Sequence, residues 1–177
     1  MKIIKFNYKS VNSTNDVAIN LIKKRNIKTG IVFAEKQNKG KGQRGKRWIS
    51  YKGNLFVSIF FRLEKINLSL KQLTKVNAKL IIKLISRYYK NEIKLKLPND
   101  ILINKRKVCG ILQETVEKNG IRYLIVGIGI NLVKSPYIKG YPTTNLYELT
   151  NIKINANKMS KELVFIYKNF LKSQKGL

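Results

Sequence analysis

Three strand-length runs joined by two tight turns occupy the second half of the chain. Residues 101–103 and 108–115 flank an Asn104-Lys105 turn, and residues 121–133 follow Lys118-Asn119-Gly120. Turns this short join neighbouring antiparallel strands, because parallel strands need a longer crossover. The sequence therefore predicts an antiparallel meander, and the chain is restricted to folds built on a mixed or mostly antiparallel sheet.

Helical patterns and further strands surround this meander. Apolar residues recur with helical spacing over 69–90 and 158–171, and a shorter amphipathic pattern follows Ser13. Ser13 and Asp16 resemble a capping box at the start of that first helix. Further strands are predicted at 2–7, as an edge strand, and at 31–34 and 54–61. We therefore predict one α+β domain, with a mixed or mostly antiparallel sheet backed by helices.

The absence of certain residue types excludes several classes of protein. The chain has no histidine and a single cysteine, Cys109. These counts exclude a disulfide framework, a cysteine-cluster zinc site, and Ser-His-Asp or Cys-His catalysis. The sequence also lacks a long apolar run and a signal-peptide pattern at its start. We expect a cytoplasmic protein that does not span a membrane.

The net charge of +28 comes from 37 basic and 9 acidic residues. Such an excess is compatible with binding to nucleic-acid phosphates. However, lysine, isoleucine and asparagine, whose codons are A/T-rich, are all abundant, and most of the basic residues are lysine rather than arginine. Arginine is the residue that grips phosphates and bases bidentately. We interpret most of the charge as coding bias and expect no specific DNA binding.

One segment combines glycines with basic side chains, Gly40-Lys41-Gly42-Gln43-Arg44-Gly45-Lys46-Arg47-Trp48. Glycines allow tight turns, and their exposed N–H groups can form an anion-binding nest. Lysine and arginine can neutralise a phosphate. The segment is neither a Walker A loop nor a dinucleotide-binding fingerprint. It is typical either of a phosphate-binding loop or of a solvated basic hairpin tip.

Three further segments carry candidate chemistry. Pro98 restricts the residue before it to an extended conformation, so Lys96 projects from a rigid bend, either into solvent or onto an anionic group. Glycines inside the predicted strands, in 110–114 and 127–131, indicate either bulges and packing or the close approach of a ligand. The polar residues 13–15 offer hydrogen-bond donors and acceptors at a helix start.

Taken in order, these segments resemble the biotin–protein ligase, or biotin–[acetyl-CoA-carboxylase] ligase, family. The resemblance rests on residues 13–15, Gln37, 40–48, 96–100, 110–114 and 127–131. It implies the fold that this family shares with class II aminoacyl-tRNA synthetases. It also implies a reaction in which biotin and ATP form biotinyl-5′-adenylate. Biotin is then transferred to a lysine of the biotin carboxyl carrier protein of acetyl-CoA carboxylase.

The resemblance also assigns site residues. Those expected to bind biotin are Ser13, Thr14, Asn15, Gln37, Lys41, Gly42, Gln43, Lys96 and Gly110. Those expected to bind ATP and the adenylate are Gly40, Arg44, Trp48 and Asn131. Lys96 and Arg44 are the expected catalytic residues, because they would neutralise the reacting carboxylate and α-phosphate. Mg²⁺ would accompany ATP, and the resemblance identifies no metal-ligating residue.

The chain departs from the family pattern at three positions. Lys41 and Gln43 stand where the family usually has arginine, and Leu97 replaces a tryptophan, which predicts looser retention of the adenylate and a thinner packing wall. We expect residues 1–177 to form a single catalytic domain. Neither an N-terminal DNA-binding domain nor a small C-terminal β-barrel is expected, and the protein would act as a monomer or a homodimer.

Two alternative functions remain open at this point. The enzyme alternative is a lipoate or octanoyl ligase or transferase of the same fold, although the chain lacks the histidine and the Arg-Arg-x-Ser-Gly-Gly-Gly signature of those relatives. The other alternative is a basic nucleic-acid-binding module, which predicts salt-dependent binding and no adenylation.

Overall fold

The structure is a computed structural model that describes residues 3–64 and 66–174. Its strands are β1 (Ile4–Val11), β2 (Gly30–Gln37), β3 (Leu55–Arg62), β4 (Lys94–Lys96), β5 (Asp100–Ile103), β6 (Arg106–Lys118) and β7 (Ile121–Ile130). Its helices are α1 (Thr14–Arg25), α2 (Leu70–Ile85), α3 (Leu146–Thr150) and α4 (Ala156–Ser173), with a 3₁₀ turn at Gln43–Gly45.

The seven strands form one mixed sheet in the order β1-β2-β3-β7-β6-β5-β4. Among the seven strands that the structure describes, β1 and β2 alone pair in parallel, and α1 provides the crossover between them. The other neighbouring strands are antiparallel. The predicted mixed sheet and the β5-β6-β7 meander are therefore confirmed. The turns contain Asn104, Lys105, Asn119 and Gly120, all with positive φ, as tight hairpin turns require.

Side chains alternate between the two faces of this sheet, and the faces differ. One face packs against α2 and α4 through a large apolar core that includes Val57, Ile59 and Val126. The opposite face is covered by α1 only where Phe60 and Ile125 meet that helix. Further along the same face the strands carry glycine and serine, so this half of the sheet lies at the floor of a concave surface.

One helix cap and one helix end differ from the prediction. Ser13 occupies the N-cap position of α1, but its side chain makes no capping hydrogen bond, and Asp16 pairs with Lys41 instead. The capping box predicted there is therefore wrong. A capping box does form at α2, where Ser69 and Gln72 exchange side-chain and backbone hydrogen bonds. That helix ends at Ile85, earlier than predicted.

The other differences are at short or terminal elements. The predicted edge strand is confirmed as β1, which runs from Ile4 to Val11, and the predicted first residue of that strand lies outside the described residues. Helix α3 has only five residues and was not predicted, because helical spacing cannot be recognised over so short a segment. Among the described residues, no helix is long and apolar enough to cross a bilayer.

Candidate functional site

A cavity of about 690 Å³ lies over the open half of the second sheet face. It is enclosed by the glycine-rich loop of residues 38–48, the bend at 96–100 and the segment 136–143. The predicted site residues that line it are Ser13, Thr14, Asn15, Gln37, Lys41, Gly42, Gln43, Arg44, Trp48, Lys96, Gly110 and Asn131. Segments far apart in sequence are thus brought together around one space.

Gly40 is the predicted site residue that does not line this cavity. It is buried behind the loop, where a Cβ atom would lie 2.6 Å from the Trp48 carbonyl oxygen. The structure therefore gives Gly40 a packing role, in which it lets the two arms of the loop approach each other.

A buried polar network forms the wall of the cavity beside α1. The backbone N–H and the hydroxyl of Thr14 both donate to Gln37 Oε1, at 2.8 and 3.1 Å. Ser58 Oγ lies 2.7 Å from Thr14 Oγ1 and within hydrogen-bond distance of Asn15 Oδ1. Asn15 Nδ2 donates to Glu114. These contacts fix the polar groups before any ligand binds, and sequence reasoning missed Ser58.

Glycines in β6 and β7 make room for side chains that lie against this face of the sheet. Gly110 and Gly129 are cross-strand partners, and added Cβ atoms there would lie 2.6 and 2.4 Å from the Trp48 ring. A Cβ at Gly127 would lie 2.4 Å from Asn15 Oδ1. Of the two alternatives for these glycines, the structure shows packing, and the groups that pack against them are the protein's own Trp48 and Asn15.

The glycine-rich loop is closed by its own hydrogen bonds. The Gly42 N–H donates to the Lys46 carbonyl at 2.7 Å, and the Trp48 N–H donates to the Gly40 carbonyl at 2.9 Å. The Arg47 guanidinium donates to the Asn38 carbonyl at 2.8 Å. The Gly42 N–H is therefore satisfied within the loop and does not contribute to an anion-binding nest, one of the two alternatives left open for this segment.

The basic side chains of this loop differ in how firmly they are held. Lys41 forms an ion pair with Asp16, which ties the loop to α1, and this hydrogen bond raises the pKa of the Lys41 ammonium. Arg44 is exposed and has a φ of 54°, a left-handed conformation that is uncommon for arginine. Arg44 also lines the cavity, so its exposed guanidinium lies at the rim, where an anion can reach it.

A second polar cluster lies on the opposite side of the cavity, around Asp100. The Tyr141 hydroxyl donates to Asp100 Oδ2 at 2.6 Å, and Lys107 Nζ lies 2.7 Å from Asp100 Oδ1. Burial and the bond to Asp100 raise the pKa of the Tyr141 hydroxyl. Lys96 Nζ lies 4.4 Å from the centre of the Tyr141 ring, and Lys107 Nζ lies 5.2 Å from that of Trp48.

Sequence reasoning missed Lys107 and Tyr141 for identifiable reasons. The pairing of β5 with β6 shifts register next to Val108, and an irregularity of this kind redirects a side chain. Simple alternation from Gly110 would place Lys107 on the other face, whereas the structure places it in the cavity wall. Tyr141 belongs to an irregular segment with no periodic pattern, so nothing in the sequence indicated its position.

Two buried polar atoms on described residues that line the cavity have neither a hydrogen-bond partner nor an ion-pair partner. Asn131 is only 1% exposed, and its Nδ2 donates to the Thr144 carbonyl at 3.1 Å. Within the described parts of the chain, Asn131 Oδ1 and Trp48 Nε1 are buried and have no hydrogen-bond partner. Buried polar groups are normally paired. One acceptor and one donor on cavity-lining residues are therefore left unpaired by the protein's own groups.

The cavity combines three features suited to one kind of ligand. Its floor is apolar at Trp48, its α1 side carries amide and hydroxyl groups, and its rim carries the cations Lys96 and Arg44. Such an arrangement can hold a molecule with a polar ring at one end and a carboxylate or phosphate at the other. It can also neutralise negative charge that develops there during a reaction.

Comparison with known proteins agrees with this geometry. The model of the biotin/lipoate A/B protein ligase family matches residues 8–131. The bifunctional ligase/repressor BirA of Escherichia coli is 32% identical over 125 residues, which are 69% of this chain and 38% of that protein. The corresponding Bacillus subtilis protein is 34% identical over 128 residues, 71% of this chain and 39% of that protein.

The fold is shared with a solved structure, a biotin protein ligase from Aquifex aeolicus in complex with biotin and ATP. That structure has a TM-score of 0.82 and 27% sequence identity, and the match covers 98% of this chain and 72% of the other. The chain spans less than two-fifths of the length of the two bacterial BirA proteins. The expected biotin-ligase-like fold is confirmed, and the chain belongs to the biotin/lipoate A/B protein ligase family.

Proposed function

We propose that this protein is an ATP-dependent biotin–protein ligase. The observation that carries the proposal is the convergence of the predicted site residues on one cavity whose wall offers a free acceptor on Asn131 and a free donor on Trp48. The Aquifex aeolicus relative, described as binding biotin and ATP, supports the same ligand classes. The name biotin–[acetyl-CoA-carboxylase] ligase, carried by a 34% identical relative from Paracoccus denitrificans, supports the same activity.

The proposed reaction has two balanced steps. In the first, a carboxylate oxygen of biotin attacks the α-phosphorus of ATP, the bond to the bridging oxygen breaks, and pyrophosphate leaves. In the second, the amine of an acceptor lysine attacks the carbonyl carbon of the adenylate, AMP leaves, and the amine gives up a proton. Neither step needs a covalent enzyme intermediate, so positioning and charge neutralisation supply most of the catalysis. The absence of histidine is compatible with this chemistry.

The proposed roles of the residues follow from their positions. Thr14, Asn15 and Gln37 hold the ring end of biotin, because their polar groups are buried together beside α1. Lys96 and Arg44 neutralise the biotin carboxylate and the α-phosphate at the rim. The remaining proposed biotin contacts are Ser13, Lys41, Gly42, Gln43 and Gly110, and the remaining nucleotide contacts are Trp48 and Asn131.

Mg²⁺ enters this proposal as part of the nucleotide substrate. Among the described residues, no three acidic, cysteine or histidine side chains come together as a metal site. Asp100, the acidic residue among those that line the cavity, is already paired with Lys107 and Tyr141. Mg²⁺ would therefore be held mainly by the phosphate oxygens of ATP, where it offsets their charge.

The acceptor in this proposal is the biotin carboxyl carrier protein of acetyl-CoA carboxylase, and the setting is the cytoplasm. The positive charge of the chain supports an encounter with an acidic partner, because opposite charges accelerate association. The rate of biotin transfer should then fall as ionic strength rises. A rate that does not depend on salt would contradict this part of the proposal.

The test of the ligase activity is biotin-dependent exchange of pyrophosphate into ATP. We expect exchange in the wild-type protein and a loss of about a hundred-fold in Lys96→Ala, the range seen when one charge-stabilising donor is removed. Lys94→Ala is the matched control, since Lys94 lies two residues away, is exposed and does not line the cavity. Equal rates in the two variants would remove Lys96 from its proposed role.

The same assay separates the alternatives. Exchange that depends on lipoate or octanoate in place of biotin would favour the lipoate branch of the family. No exchange with any of these acids, together with tight and salt-sensitive nucleic-acid binding, would favour the non-enzyme alternative. Circular dichroism of each variant would show whether a lost activity reflects a lost fold.

A further inference from the structure

Lys96 must be held in one position to neutralise a reacting anion, yet its surroundings in the sheet give it little support. It is the last residue of β4, a three-residue strand at the edge of the sheet, and it is exposed. The next residue, Leu97, is 63% exposed and gives it no packing support. A free lysine side chain has about 2 kcal/mol of rotamer entropy to lose when it is held in one position. Some contact must therefore direct the Lys96 ammonium toward the cavity.

The contact that the structure provides is the face of Tyr141. Lys96 Nζ lies 4.4 Å from the centre of that ring, within the distance at which a cation is attracted to an aromatic face. A hydroxyl that donates to a carboxylate makes its ring more electron-rich, and the Tyr141 hydroxyl donates to Asp100 at 2.6 Å. The pKa of that hydroxyl is raised, so it keeps its proton at neutral pH.

Lys107 determines which cation Asp100 neutralises. Lys107 Nζ lies 2.7 Å from Asp100 Oδ1, and the two side chains are 16% and 14% exposed. With Asp100 occupied in this way, the ammonium of Lys96 is not neutralised by the carboxylate four residues away. Lys41 shows the alternative, because its ion pair with Asp16 both holds and neutralises it. An aromatic face holds a lysine while leaving its positive charge available to an anion.

We infer that Tyr141, fixed by Asp100 and Lys107, is the positioning residue for Lys96. It orients the Lys96 ammonium toward the reacting carboxylate and phosphate without neutralising its charge. This inference rests on the proposed function and adds to it a cavity-wall residue that acts through Lys96. The effect of Tyr141 on catalysis should therefore pass entirely through Lys96.

The kinetic test is a double-mutant cycle on biotin-dependent pyrophosphate exchange. Tyr141→Leu should lower kcat about ten-fold, a loss within the range for a cation–π contact. Tyr141→Phe keeps the ring and should stay within about three-fold of wild type. In the Lys96→Ala background, Tyr141→Leu should cause no further loss, because coupled residues are not additive. Losses that multiply in the double variant would overturn the inference.

The matched control is Tyr137→Leu, in the same irregular segment. Tyr137 is 90% exposed and is not among the residues that line the cavity. This variant should keep the wild-type kcat, and its thermal midpoint should match that of Tyr141→Leu within a few degrees if neither change disrupts the fold. A Tyr141→Leu variant as active as Tyr137→Leu would also overturn the inference.

A second readout needs no enzymatic activity. Reductive ¹³C-methylation of the lysines gives NMR signals, and Lys96→Arg identifies the Lys96 signal by its loss. In the wild type and in Tyr141→Phe that signal should be shifted upfield by the aromatic ring, and Tyr141→Leu should abolish the shift. An unshifted wild-type signal would contradict the contact itself. A wild type that shows this shift but no exchange would contradict the proposed function, and with it the catalytic part of the inference.

Discussion

Gly127 and Gly129 lie two residues apart on β7, and each makes room for a different side chain. A Cβ at Gly129 would lie 2.4 Å from the Trp48 ring, and one at Gly127 would lie equally close to Asn15 Oδ1. Both distances are shorter than a normal van der Waals contact. The same substitution at the two positions should therefore disturb opposite ends of the cavity.

We predict that Gly129→Ala displaces Trp48 and weakens nucleotide binding, whereas Gly127→Ala displaces Asn15 and weakens biotin binding. Trp48 is the only tryptophan of the chain, so its fluorescence reports its own surroundings. The emission of Gly129→Ala should shift to longer wavelength as the indole becomes more exposed, and Gly127→Ala should keep the wild-type spectrum. Identical spectra for the two variants would contradict this prediction.

Cys109 offers a test based on pH. Burial raises the pKa of its thiol above the ordinary value of 9.0, and the residue is fully buried. As the pH rises past that value, the thiol of the unfolded chain ionises while the buried thiol does not. The unfolded state is then favoured, so the stability contributed by Cys109 is present below pH 9 and is lost above it.

We therefore predict that the stability difference between the wild type and Cys109→Ala changes with pH. Below pH 9 the wild type should be more stable, because alanine leaves a small cavity. Above that pH its advantage should decrease by about 1.4 kcal/mol per pH unit. Urea unfolding of both proteins gives this difference, and the alanine variant controls for the titration of the lysines. A constant difference would contradict the prediction.

At the level of elements, α1 and α2 begin with different kinds of helix cap. The Ser69 side chain accepts a hydrogen bond from the Gln72 N–H at 3.2 Å, whereas the Ser13 side chain makes no such bond in α1. Ser13 instead lines the cavity. The two serines occupy equivalent positions, so the same substitution separates a structural role from a ligand-binding role.

We predict that Ser69→Ala lowers the free energy of unfolding by about 1 kcal/mol, the usual value of an N-cap side chain. Ser13→Ala should change it by only a few tenths of a kcal/mol and should raise the KM for biotin. Urea unfolding and the exchange assay measure the two effects. If Ser13→Ala were the more destabilising change, its assignment to the site would be wrong.

How well the elements could be predicted depended on the range of the interactions that specify them. The β5-β6-β7 meander was predictable because its turns and apolar runs are local patterns. The capping box was assigned to Ser13, whereas the structure forms one at Ser69. Asp16 does not cap α1 because it pairs with Lys41 of the glycine-rich loop. A pairing between residues 25 positions apart cannot be recognised from a local sequence pattern.

The same distinction applies to the candidate site. Twelve predicted residues line the cavity because they belong to short segments that resemble a known family. Ser58 and Tyr141 were missed because each acts through a partner in another segment. Lys107 was missed because an irregularity in the β5–β6 pairing reverses the alternation that would have located it.

For the whole molecule, the net charge of +28 has an energetic cost. Many of the lysines are exposed, and α2 carries Lys71, Lys75 and Lys79 at intervals of four residues on its outer surface. Like charges four residues apart on a helix destabilise it. The excess of positive charges also destabilises the compact state through mutual repulsion. At 0.1 M salt, the repulsion between exposed charges more than about 10 Å apart is largely screened.

We predict that added NaCl raises the thermal midpoint of this protein, by several degrees between about 0.02 and 0.3 M. Replacing Lys71, Lys75 and Lys79 with glutamine should raise the midpoint at low salt and reduce its dependence on salt, because glutamine keeps a similar helix propensity. Differential scanning calorimetry of both proteins measures this. A midpoint that falls with salt in the wild type would show that favourable ion pairs outweigh the repulsion.

The contact of Trp48 with Gly110 and Gly129 restricts which substitutions are tolerated at these three positions. The indole ring and the two missing side chains share one volume between the loop and the sheet. A larger residue at 129 becomes acceptable only when the residue at 48 becomes smaller, and the reverse also holds. Substitutions at these three positions are therefore expected to occur together, as compensating pairs, in lineages that retain the cavity.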